Sequence, residues 1–137
     1  CTKTKKPKEL FKRDDQGKTH YYLRNCAYLE EFEKEKLVWK RIGSVLRFSI
    51  DNINSLCLDS TCIMTSEKDE IKYIGALMNS KIIYHFLLEN SPKTGTGDVI
   101  TSVQAIEPVP IPKDIDQKTK DKLIHLVKEI LEKKGKN

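Results

Sequence analysis

No run in this chain approaches the roughly 20 apolar residues that a membrane-spanning helix needs, and Ile82 to Leu88 is interrupted by His85. A membrane partner is therefore not expected. Catalytic signatures are missing as well. There is no Gly-x-Ser-x-Gly elbow, His-Glu-x-x-His pair or Walker motif, and the glycines of K-T-G-T-G-D lack the spacing of a phosphate-cradling loop. Metal ligands are sparse: of Cys1, Cys26, Cys57 and Cys62 only the last two are close, while His20, His85 and His125 are scattered. No metal site is expected, and the cysteines read as buried, reduced thiols of a cytosolic, cytoplasmic protein. Glu30 and Glu31 are a carboxylate pair, but adjacent helical positions diverge and nothing nearby would separate their pKa values, so a hydrolase built on them and His85 is rejected. His85 itself reads as a partly buried structural residue. No secretory signal is visible, and a start at Cys1 rather than methionine suggests a piece excised from a longer polypeptide.

What the chain does have is charge, unevenly spread. Its 137 residues carry a net +5. Residues 1–18 hold seven Lys/Arg against three acids, and residues 113–137 eight against five, which leaves residues 19–112 with ten bases and twelve acids. The basicity lies in the flanks. A polyanion partner would have to be held by a few well-placed bases in the centre rather than by bulk charge.

Along the chain, residues 1–18 show no hydrophobic period and read as a linker or basic arm, 19–112 as the main domain, and 113–137 as a carboxy-terminal amphipathic helix. Tyr21, Tyr22, Tyr28 and Phe32 interleave with charges in a strand or loop followed by an irregular helical turn. L-V-W-K-R-I is rich in strand formers, and L-R-F-S-I alternates, with Leu46, Phe48 and Ile50 on one face and Arg47 and Ser49 on the other. The turn residues of D-N-I-N predict a hairpin between 45–50 and 56–65. Ser66 and Asp69 predict a helix start, Asn79 and Ser80 a break, and K-I-I-Y-H-F-L-L-E a second short helix. V-I-T-S-V-Q-A-I reads as a last strand, and E-P-V-P-I-P as a stiff extended connector, because proline fixes φ and lacks an N–H. Asp114 with Gln117 resembles a capping box ahead of a helix whose stripe is Leu123, Leu126, Val127, Ile130 and Leu131. The expected class is α+β: a small curved or mixed β-sheet with two short adjoining helices and a longer carboxy-terminal amphipathic helix.

The order of these motifs is more specific than any one of them. Y-Y-L-R-N-C-A-Y-L-E-E-F-E-K-E-K-L-V-W-K-R-I, an Asp-Asn turn, Y-I-G-A-L-M-N-S-K-I-I-Y-H-F, a glycine-bearing loop and then P-V-P-I-P resemble, over roughly residues 20–135, the TaqI-like C-terminal specificity domain. That module is the target recognition domain of type IIG restriction–modification enzymes and related adenine-N6 DNA methyltransferases of bacteria, and is similar to the recognition domains of type I specificity subunits. The resemblance implies double-stranded DNA as partner and a methyltransferase domain upstream in the same chain. It implies no catalytic residues and no cofactor in this piece, with S-adenosylmethionine serving the parent enzyme, and Mg where a nuclease is present.

Sequence readout needs donors and acceptors at base edges plus phosphate contacts that set register. Lys36, Lys40, Lys81 and Lys93 are the candidates for phosphates, joined by Thr94 and Thr96 from the glycine loop. Arg41 and Arg47 suit guanine, and Asn52 or Asn54 suits adenine. Trp39, among Leu37, Val38 and Ile42, reads as core, and Asn79 as a structural cap. A reading of another class is a protein-interaction module that docks through the Leu123–Leu131 stripe of the terminal helix.

Overall fold

The computed structural model describes residues 29–67 and 69–134. The chain divides into two compact units, Cys1–Glu30 and Glu31–Asn137, and the strands and helices described belong to the second. The basic arm, Tyr21, Tyr22, Tyr28, His20, Cys1 and Cys26 lie outside the described residues.

A 3-10 turn, Leu29–Glu33, leads into strand β1, Lys36–Lys40. Leu37 and Trp39 alternate inward along β1 and are buried, as a strand with one face on a core requires. β1 takes the centre of a three-stranded sheet of order β3-β1-β4, in which β3 is Phe48–Asp51 and β4 is Thr61–Thr65. Both neighbours are antiparallel to it, with Trp39 opposite Phe48 on one side and Cys62 on the other. The hairpin expected between 45–50 and 56–65 is therefore absent. The two segments flank β1, and 52–60 is a crossover between them. Turn chemistry at D-N-I-N is real, but it bends the chain toward the far edge of β1, where a second ladder of backbone bonds is available. The Trp39 and Phe48 rings meet at a centroid separation of 5.6 Å. Phe48 is buried, and Arg47 and Ser49 are exposed, as the alternation predicts.

Helices α1, Glu70–Met78, and α2, Lys81–Asn90, follow with the predicted break between them. Ser80 caps α2 by accepting a hydrogen bond from the Ile83 N–H. α1 lies close on the sheet because Gly75 has no side chain: a Cβ there would stand 3.2 Å from Leu37 Cδ1 and 3.4 Å from Ile50 Cδ1. Asn79, at the α1 carboxy terminus, bridges helix and sheet edge. Its Nδ2 donates to the carbonyls of Phe48 and Gly75, both at 2.8 Å, and its Oδ1 accepts from the Phe48 N–H at 3.2 Å. The outward backbone groups of an edge-strand residue are thus satisfied by one side chain. His85 is exposed on α2 rather than partly buried.

The stretch V-I-T-S-V-Q-A-I divides. Only Val99–Ile100 is a strand, β5, paired with β2, Ile42–Gly43. Val103–Ile106 forms a short helix, α3, starting after Ser102, a residue type that favours helix starts over strands. The proline connector is not extended from its start: Glu107, at φ −50° and ψ −41°, and Pro108 continue the turn that ends α3, closed by the Val109 N–H donating to the Ile106 carbonyl at 3.0 Å, while Val109 is buried, Ile111 packs against the core, and Pro108, Pro110 and Pro112 are exposed. The last helix, α4, spans Gln117–Lys134. Its cap is Asp116, not Asp114: Asp116 Oδ2 accepts from the Thr119 N–H at 3.1 Å and from the Thr119 hydroxyl at 3.2 Å. Lys128 Nζ pairs with Asp69 at 2.8 Å and Lys120 Nζ with Glu70 at 3.3 Å, while Lys120 also lies over the Tyr73 ring.

Candidate nucleic-acid interface

The strand β1 ends in a corner, and that corner is held from both sides. The Arg41 N–H donates to the Ser60 carbonyl at 2.9 Å, and the Arg41 carbonyl accepts from the Thr101 N–H at 2.9 Å. Thr101 is buried, and its hydroxyl donates to the Lys40 carbonyl at 2.9 Å, with the Arg41 carbonyl 3.3 Å away. Its own carbonyl accepts from Trp39 Nε1 at 2.7 Å. Core tryptophan, clamp threonine and the Lys40–Arg41 backbone form one connected set of bonds, so two exposed cations stand on a fixed base. Sequence patterns do not single out Thr101, because its partners lie about sixty positions earlier in the chain.

Other candidates gather at this end. The β1–β3 register ends with Trp39 opposite Phe48, so Lys40 and Arg47, the next residues outward on each side, lie at the same end of the sheet. Lys81 begins α2 two residues after Asn79, which grips Phe48, the neighbour of Arg47. β2 pairs with β5, and the loop before β5 carries Lys93, Thr94 and Thr96. That loop is organised internally. The Thr94 N–H donates to the Asp98 carbonyl, the Gly97 N–H to the Thr94 carbonyl, and the Thr94 and Thr96 hydroxyls lie 2.8 Å apart. Gly97 adopts φ +88°, a conformation that glycine alone takes without strain. The threonine hydroxyls therefore shape the loop, and Lys93 is its exposed cation.

Three candidates fall elsewhere. Lys36 is fully buried, its ammonium bonded to Asp51 Oδ2 at 2.9 Å and to the Phe32 carbonyl at 2.8 Å. It is a structural ion and is not available to a phosphate. Asn52 and Asn54 are exposed at the opposite end of β3, where Asp51 also accepts from the N–H groups of Ile53 and Ser55, each at 3.0 Å. Burial raises the Asp51 pKa, but the hydrogen bonds from Ile53 and Lys36 and the Lys36 charge outweigh it and hold the carboxyl below its ordinary value. Asn54 sits at φ 57°, in the left-handed region that asparagine tolerates.

The amino-terminal end of β1 has the opposite character. An open cavity of about 1020 Å³ lies there, lined by Glu31, Lys34, Glu35, Thr65, Ser66, Glu67, Glu70 and Lys120. Hydrogen bonds from Lys34 and Thr65 lower the Glu31 pKa against a smaller burial effect, so the carboxylate stays ionised. Lys72 pairs with Glu35 and Asp69; burial depresses its pKa, and the two carboxylates more than restore it. A cleft walled by carboxylates repels phosphate.

At the basic corner, Cys62 is partly buried. Burial pushes its thiol pKa up, Arg41 opposes the shift and Asp59 adds to it, so the sulfur remains a protonated packing group. Among the described residues Cys57 and Cys62 are free thiols, no cluster of metal-ligating side chains occurs, and no helix is long and apolar enough to cross a membrane. No individual curated protein matches the chain. Residues 3–111 match the family model of the TaqI-like C-terminal specificity domain. The match starts within the basic flank and ends in the proline connector, and with most of its length so covered the chain belongs to the TaqI-like C-terminal specificity domain family, the DNA-recognition modules of restriction–modification enzymes.

Proposed function

We propose that this domain reads duplex sequence with the corner at the carboxy-terminal end of β1. Arg41 and Arg47 contact guanine edges in the major groove, and Lys40, Lys81 and Lys93 hold phosphates on either side. Asn52 and Asn54 belong to a separate surface and serve, if the duplex wraps that far, as a second contact. The observation that carries this reading is the Thr101 clamp, because hydrogen-bond readout rewards a rigid base and exposed cations on loose loops discriminate poorly. The domain itself performs no chemistry. It directs an adenine-N6 methyltransferase domain upstream in the parent chain, of type IIG design, with S-adenosylmethionine bound there and Mg serving a nuclease where one is present.

Duplex binding followed by fluorescence anisotropy across a salt series tests the reading. Affinity should fall steeply with salt, and removing Lys93 should reduce the slope by about one unit. Salt-independent binding, or none, overturns it. A second reading has a specific observation behind it. No residue of α4 is fully buried; Leu126 remains 44% and Ile130 63% exposed beside an apolar groove of about 480 Å³ lined by Phe48, Ile50, Gly75 and the α4 stripe. In that reading the helix docks on protein, and the two roles are compatible.

A further inference from the structure

Within the basic corner stands one carboxylate whose position asks for a reason. Asp59 is fully exposed, and its Oδ1 lies 3.5 Å from Arg41 Nη1, the Arg41 side chain being 47% exposed. A fully exposed carboxylate on a surface that meets phosphates weakens binding to every sequence, so it is retained at a cost unless it contributes discrimination. Its setting is built. The Thr61 N–H donates to the Leu58 carbonyl at 2.9 Å, closing a turn over Asp59 and Ser60, and Ser60 in turn holds the Arg41 N–H. Both members of the pair therefore stand on backbone joined by hydrogen bonds, around a recess of about 240 Å³ lined by Lys40, Arg41, Ile42, Asp59 and Ser60.

We propose that Asp59 is a specificity-determining residue that works with Arg41 to read a G·C pair. It rests on the DNA-recognition reading above. One Asp59 oxygen orients the guanidinium so that its fork presents two parallel N–H groups to guanine O6 and N7. The other accepts the exocyclic N4 amino group of cytosine, a donor that only a major-groove acceptor can exploit. The same carboxylate excludes the wrong base: against a thymine it would face the O4 acceptor, two unshielded lone-pair groups with no proton between them.

The test uses the full chain and a pool of duplexes in which each position of the recognised site is varied in turn. Asp59→Ala should raise affinity for unrelated duplex, because a negative charge has gone, while discrimination at a single G·C position falls by roughly ten- to a hundredfold. Asp59→Asn should move preference at the cytosine position toward adenine, whose N6 and N7 suit an amide. Arg41→Ala should lose discrimination at the guanine of the same or the adjacent pair. A uniform rise in affinity with no change at any one position would reduce Asp59 to an ordinary surface carboxylate and overturn the proposal. That outcome is distinct from failure of the broader reading, which would appear as an absence of salt-dependent duplex binding by the unaltered chain.

Discussion

At the carboxy-terminal end of β1 the surface carries Lys40 and Arg41 on clamped backbone, with Arg47 exposed just ahead of β3, and at its amino-terminal end Glu31, Glu35, Glu67 and Glu70 line an open cleft. The lysine at that second end, Lys36, is drawn inside to neutralise Asp51. The contrast explains how a central module with more acids than bases belongs to a DNA-recognition family. Totals average over two ends that differ in sign. In the proposed reading a duplex approaching the sheet is attracted at one end and repelled at the other.

The largest effect should come from breaking the buried ion at the acidic end. Lys36→Met leaves Asp51 without its cation and should cost about 3 kcal/mol or more in urea denaturation, with little change in site preference for the molecules that remain folded. At the basic end the order of effects should reverse. Arg47→Ala should leave the denaturation midpoint almost unchanged yet cost about 1–3 kcal/mol of binding at one base pair of the site. Glu67→Gln, in the acidic cleft, is the matched control and should alter neither. If Glu67→Gln relaxed discrimination as Arg47→Ala does, the two ends would not be functionally distinct.

Thr101→Val, isosteric but lacking the hydroxyl, should cost about 1 kcal/mol in stability and more in discrimination than in total affinity, since it loosens Lys40 and Arg41 without removing them. The smallest effect is acid sensitivity. Because the folded Asp51 pKa is depressed below 3.8, its contribution is fully present above that value and is lost as pH falls through the lower folded value. Asp51→Asn should therefore flatten the pH dependence of stability below about pH 4, measured by denaturation at stepped pH.

Features that depend on neighbours in sequence are legible from the chain alone. Leu37 and Trp39 alternate within one strand, Asn79 and Ser80 interrupt one helix, and the core role of Trp39 follows from its apolar surroundings. Features that depend on a remote partner are not. Lys36 looks like any surface cation until the β1–β3 register sets it against Asp51, and Thr101 looks like a strand residue until the fold brings it to the Lys40 carbonyl. The separation of β3 from β4 is hidden because turn residues say that the chain bends, not which strand edge receives it. Asp59 is hidden for the opposite reason: a lone carboxylate in a loop has no pattern, and only its proximity to Arg41 gives it one.

The connector Glu107–Pro112 has a consequence beyond linking α3 to α4. Val109 and Ile111 face the core, and the three exposed prolines have no N–H to donate, so this segment is a poor template for a further strand. Copies of the domain crowded along one DNA molecule have no ladder to extend at that margin. That margin thus resists the edge-to-edge pairing by which exposed strands seed a shared sheet.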